Sequence, residues 1–344
     1  MHYFKRFKIQ PHNPENPVEL AMQQASKHKQ ERGIKNNMTN NPLKPCKPWK
    51  SYQQQIQLLE SRGMCFEDKK SAEHLISQIN YYRLSGYWYP FRQTDNAGQR
   101  QDKFIRDTNF QDVLNLYNFD KHLRLLVLQA LESIEMSVRT QIAHLMGRTS
   151  PIAHLDPKNF DKSFTQYKDK KGKTSYDRWK EKFDQQIERA KKNPAIIHHA
   201  TNYQAIPIWV AIDQLDFGAV SVLYTGLPNK QRTLIAQSYQ VRNADVFASW
   251  LRSLNYIRNI CAHHSRLWNV NIDVIGKKDH QIKGLNNLDN KRLFFYLIVI
   301  DHLLNIISKD TFWRENIKDL LLSFPKPKNN AVKVENMGFI QGFF

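Results

Sequence analysis

Between Leu254 and Asn269 the chain reads LNYIRNICAHHSRLWN. Wound as a helix at about 100° per residue, this stretch and the turn before it put Trp250, Leu254, Ile257, Cys261 and Trp268 on one apolar face. Asn255, Arg258, Asn259, His263 and Arg266 fall on the opposite side, while His264 points away from that polar strip. The set suits one chemistry in particular. RNA carries its own nucleophile, the 2′-hydroxyl, so cleavage needs a base for its proton, an acid for the 5′-oxygen and positive charge on the phosphorane. Histidine moves protons near neutral pH, and arginine offers a fixed fork of donors to phosphate oxygens. Asn259 can orient either, no metal is required, and the products would carry 2′,3′-cyclic phosphate ends. The same strip also fits an ordinary solvated helix surface. One geometric obstacle stands: Arg258 and His263 are five residues apart and diverge by about 140° on a straight helix. Fraying near His263 relieves this, and so do two such helices facing each other across a twofold axis.

Two other stretches could contact RNA. Asn80–Arg92, NYYRLSGYWYPFR, interleaves aromatics with arginine, a pattern that stacks unpaired bases. Arg83, Tyr87, Trp88 and Arg92 are its candidates, although aromatics more often serve as the core of a small domain. Farther on, Leu123, Val127, Leu131, Ile134, Val138, Ile142 and Leu145 recur at three- and four-residue steps and predict a long helix. Arg124, Glu132, Glu135 and Arg139 form its separate polar strip, where Glu135 and Arg139 at i,i+4 can simply pair. His198, His199, His280 and His302 lack ligand spacing with a cysteine or carboxylate, so no metal site is expected.

The elements that must position these residues read as helices. Ser51–Ser61 starts at a capping serine and stops at Gly63, and Ser71–Leu84 ends near Gly86. Tyr176–Lys192 follows. A segment beginning after Pro207 is interrupted near Gly218, and another helix starts after Leu227-Pro228. Asp245–Trp268 carries the motif, and Lys291–Ile307 and Trp313–Phe324 complete the set. No run of period-two strands is visible, so an all-α fold is expected. The expected division is a polar arm over 1–45 (with one short helix at Glu19–Lys29), a small helical and aromatic module over 46–105, a helical bundle over 106–325 and a tail over 326–344.

Composition narrows the partners. Lys and Arg number 51 against 32 Asp and Glu, a formal charge of +19 in 344 residues. A field of that sign, spread along the chain, favours a polyanion such as nucleic acid. Three cysteines, Cys46, Cys65 and Cys261, with no Cys-x-x-Cys pair, exclude a disulfide framework and a zinc ribbon and fit a reducing cytoplasm. The longest apolar run, Leu293–Ile300, is too short for a bilayer, and the N-terminus has no apolar secretory stretch. No internal repeat and no Gly-rich phosphate loop occur.

The sequence also resembles a known family. Arg258, Asn259 and His263 match the R-x(4–6)-H signature of HEPN ribonucleases. RNICAHHSRLWN, KPWKSYQQQIQLLESRGM, INYYRLSGYWYPF, FDKHLRLLVLQALESIEMSVRTQIA, IPIWVAIDQLDFGAVSVLY and the late MGF are similar to the Abi-like abortive-infection proteins of that superfamily. The likeness spans about Lys47 to Phe339. It implies a HEPN-type helical bundle, usually paired as a homodimer so that two motifs build one cleft, and a metal-independent endoribonuclease acting as a toxin. It further implies Glu132, Glu135 and Arg139 near the cleft and, in some relatives, a small structured RNA as antitoxin. A non-catalytic RNA-binding module of the same fold is the alternative, and a bundle that binds only proteins is a third.

Overall fold

In a computed structural model, which describes residues 46–308 and 312–342, the periodic apolar stretch is one helix, Phe110–Gly147. Asn109 starts it by accepting the Gln111 N–H at 2.9 Å. Leu123, Val127, Leu131, Ile134, Val138 and Ile142 are all buried along one side, as their spacing requires. The helix Leu293–Ile307 lies against it. Every residue from Leu293 to Ile300 is buried, the mark of a helix enclosed by neighbours on all sides. Ala244–Ala262, Phe312–Leu322 and Tyr81–Trp88 pack on the same long helix. The fold is all-α apart from one small hairpin.

Several elements depart from their expected bounds. The helix expected at Ser71–Leu84 is two, Lys69–Ile79 and Tyr81–Trp88. They break at Asn80, whose φ of 82° no helix tolerates, and the Asn80 side chain then caps the second by accepting the Tyr82 N–H at 2.8 Å. Gly86 therefore sits inside a helix and stops nothing. An antiparallel pair, Arg92–Thr94 with Arg100–Phe104, is a hairpin that strand patterning missed, because its second strand is mostly exposed and charged. In 206–224 the break falls at Leu215-Asp216, where Asp216 caps the helix Phe217–Gly226, and Gly218 belongs to that helix's first turn. The segment after residue 325 is anchored: Met337 is fully buried, and Phe339 meets Phe294 edge-on at 5.0 Å. Residues on both sides of 105 belong to one compact unit, Lys50–Phe344. The arm over 1–45, with its expected helix Glu19–Lys29, lies outside the described residues.

Candidate active site

The motif helix ends at Ala262, not at Trp268. His263 is its cap at φ −88°, ψ 11°, and His264 turns into the left-handed region at φ 56°. The His264 N–H donates to the Cys261 carbonyl at 3.0 Å and the Ser265 N–H to the Ile260 carbonyl at 2.9 Å. That pair of bonds closes a helix C-terminus, usually with glycine in the place His264 holds. The wheel drawn from sequence therefore holds as far as His263 and fails after it. Arg266 is on no helix face, and His264 lines a cavity apart from the one that Arg258 lines.

Arg258 and His263 have different surroundings. Arg258 is half-buried and lines a cavity of about 420 Å³ with Leu128, Gln129, Glu132, Glu135, Met136 and Arg139. The charged strip of the long helix thus converges on the motif arginine. Inside it Glu135 pairs with Arg139, which also donates to the Leu215 carbonyl. Burial pushes the Glu135 carboxyl up, against the pull of Arg139 and Arg258. Arg258 itself reaches Asn259 Oδ1 at 3.4 Å and pairs with no carboxylate among the described residues. Asn255, half-buried one turn earlier, lies against Gly218, where an added Cβ would stand 3.3 Å from its amide nitrogen. The His263 side chain is exposed and makes no hydrogen bond or ion pair among the described residues.

The turn after His263 is held from below. Asp120, on the long helix and fully buried, accepts the Trp268 N–H at 2.7 Å, the Leu267 N–H at 3.2 Å, the Tyr87 hydroxyl at 2.7 Å and the Arg124 guanidinium. Burial pushes its carboxyl up, and Arg124, Tyr87 and the two backbone N–H groups act against that. All four partners are donors, so the carboxylate satisfies them without a proton. Arg124 also reaches the Ser265 carbonyl at 3.4 Å. From the side, Arg83 donates to the His264 carbonyl and Arg266 to the Gly86 carbonyl. Asn80, Arg83, Tyr87, His264, Ser265 and Arg266 line a second cavity of about 440 Å³ between the two segments.

This arrangement corrects part of the sequence reading. Tyr87, Trp88 and Arg124 are 1%, 0% and 4% exposed, so no base can stack on them. They build and brace the core instead. Arg92 is half-buried beside Asp102 at 3.3 Å. Arg83 remains at the surface. Asp120 was missed: within Phe119-Asp120-Lys121 nothing local marks it as buried, and two of its partners, Leu267 and Trp268, lie almost 150 residues later in the chain. Burial pushes the Cys261 thiol up to about 12, which leaves it inert as a nucleophile. Among the described residues no three His, Cys, Asp or Glu side chains group as metal ligands, and no helix is long and apolar enough to cross a membrane.

A family model described as Abi-like protein matches residues 74–269, more than half of the chain. The matched region opens in the helix Lys69–Ile79 and closes one residue past Trp268, so it takes in both cavities and the turn between them. No curated protein and no solved structure matches.

Proposed function

Because this chain belongs to the Abi-like protein family, whose name points to abortive infection, we propose that it is a metal-independent endoribonuclease of the HEPN type, acting in the cytoplasm as a toxin against infected cells. The observation that carries the reading is the polar end of the motif helix. Arg258, a half-buried arginine with no carboxylate partner among the described residues, stands a little over one turn from His263, an exposed imidazole that makes no hydrogen bond or ion pair among them. In this reading His263 moves the proton of the 2′-hydroxyl or of the 5′-oxygen, Arg258 neutralises the phosphorane, and Asn259 fixes the arginine fork. Glu135 and Arg139 hold the wall of the cavity into which Arg258 projects.

One His263 supplies one proton-transfer group, and Arg258 and His263 still diverge by about 140° around the helix. A twofold homodimer with the two motif helices facing each other completes an acid, a base and two guanidinium groups around one bond. A small structured RNA lying over the basic surface is the expected inhibitor. The test is incubation of the purified protein with total RNA and tRNA in EDTA. Wild type yields 2′,3′-cyclic phosphate ends and His263→Ala does not. Binding without cleavage by wild type would instead make it an RNA-binding module, and activity that requires added magnesium would refute the mechanism.

A further inference from the structure

The second cavity has a composition that the cleavage chemistry does not use. Arg83 and Arg266 line it from opposite walls, one on the helix Tyr81–Trp88 and one on the turn after His263. No carboxylate lines it. Neither arginine forms an ion pair among the described residues. Each instead spends one guanidinium nitrogen on a backbone carbonyl, Arg83 on His264 and Arg266 on Gly86. A neutral carbonyl orients the fork without cancelling its charge, and the remaining N–H donors have no acceptor among the described residues. Asp120, bonded to the lining residue Tyr87, is consumed by Arg124, Tyr87 and two backbone N–H groups. His264, forced to the rim by its left-handed backbone, adds an imidazole. Two held forks with free donors and no counter-ion form an anion site.

We propose that this cavity is a phosphate-binding subsite that grips the RNA backbone beside the bond cleaved at His263. The proposal rests on RNA being the substrate. Its position follows from chain connectivity: His264 and Arg266 line it, and His263 is the residue before them, so a strand whose scissile phosphate meets His263 carries a neighbouring phosphate to Arg83 and Arg266. Because Arg83 comes from a helix before residue 105 and Arg266 from the motif turn, the early helical segment becomes part of the substrate-holding surface as well as its support. The site also explains how a strongly basic chain can direct that charge, since these two guanidiniums, like Arg258, have no carboxylate partner among the described residues.

The experiment uses the full-length protein and a fluorescent mixed-sequence 12-mer of 2′-O-methyl RNA, which binds but cannot attack through its 2′-oxygen. Affinity is measured across a chloride series. Losing one phosphate contact lowers the slope of log affinity against log salt by about 0.7 for a single strand. That is the change expected for Arg83→Gln/Arg266→Gln, with affinity at moderate salt falling on the order of tenfold. Arg83→Lys/Arg266→Lys keeps the slope. Should the glutamine pair fail to fold, Asn80→Asp serves in its place: it retains the acceptor that caps Tyr82 and adds a carboxylate to the cavity that both arginines line, so it lowers slope and affinity alike. His263→Ala abolishes cleavage of ordinary RNA while leaving the 12-mer slope at the wild-type value. An unchanged slope in the glutamine pair and in Asn80→Asp overturns the subsite even if wild type cleaves RNA. A lowered slope in a protein that cleaves nothing keeps the subsite and removes the nuclease reading. A thermal shift with inorganic phosphate that the glutamine pair loses, with the 12-mer slope unchanged, assigns the cavity to free phosphate and overturns the RNA assignment.

Discussion

Asp120 offers the sharpest test of how the motif turn is held. Its carboxylate takes four donors, and the ion pair with Arg124 has side chains only 0% and 5% exposed. Replacing one partner of such a pair leaves the other charged and dry, at a cost of roughly 3–5 kcal/mol. Asp120→Asn keeps one acceptor, enough for the Trp268 N–H at 2.7 Å, but strands Arg124, so a loss of about 3 kcal/mol is expected. Asp120→Ala also leaves the Leu267 and Trp268 N–H groups without an acceptor and belongs at the upper end of the range, because each buried orphan costs about 1–3 kcal/mol. Arg124→Met strands the carboxylate instead and should lose about 3 kcal/mol. In Asp120→Asn/Arg124→Met no buried charge remains, so the double variant should be more stable than the sum of the singles predicts, by about 2 kcal/mol. Urea unfolding measures the cycle, and RNA cleavage by the folded fraction measures the consequence. With the turn unmoored, the His263 imidazole shifts by an ångström or so, enough to cost about a hundredfold in rate. Additive single effects, or Asp120→Asn with wild-type stability and rate, would show that the turn is held by something other than this carboxylate.

Four further outcomes are expected. His263→Ala and Arg258→Ala should each lower cleavage by at least about a hundredfold with melting temperatures close to wild type; equal activity in either variant ends the assignment. Mixing those two inactive proteins leaves a mixed dimer with one histidine and one arginine, from different protomers, and should restore a small part of the activity; no recovery would mean either that both histidines are required or that one chain supplies both groups. His264→Gly should raise stability by about 0.5–1 kcal/mol, because the left-handed backbone at φ 56° disfavours a side chain, while weakening RNA binding; a loss of stability would mean that the imidazole braces the turn. Burial and Lys180 lower His154 to about 4 from 6.5, a gap worth about 3 kcal/mol at 1.36 kcal/mol per unit. The folded state disfavours the imidazolium, so this stability is complete above about pH 6.5 and drains away as pH falls towards 4; unfolding curves of wild type and His154→Leu with the same pH dependence across that window would refute it.

Local pattern carried the long helices because burial there repeats every three or four residues. Leu123 to Ile142 and Trp250, Leu254, Ile257 and Cys261 pack inward as their spacing requires. The convergence of Arg258 with Glu132, Glu135 and Arg139 brings together a motif arginine and a charged strip that residue spacing could name but not join, and that only the family resemblance placed near one cleft. What pattern missed has a common cause. Both backbone reversals that shape the site, Asn80 and His264, use residues other than glycine at positive φ, so neither helix end carried its usual mark. Asp120 was hidden for a different reason. A buried carboxylate is recognised by its donors, and three of the four lie on other segments of the chain. Tyr87 and Trp88 misled for the opposite reason: aromatics beside arginine suit both a stacking platform and a core, and only burial separates the two.

The tethering of the motif turn bears on when, during its own synthesis, the chain can assemble this site. The turn is fastened to residues near 86 and 120, which leave the ribosome early, and it emerges itself only with residues 263–268. The helix Leu293–Ile307, buried throughout its first half and packed against the long helix, appears later still, and Phe324 and Phe339 close over Phe119 and Phe294 last. A nascent or prematurely ended chain therefore lacks the enclosing layer that presses the long helix, with Asp120 on it, under the turn. The site is therefore set only once the chain has been made as far as Phe339, and an interruption before that point yields fragments in which the motif turn is not held.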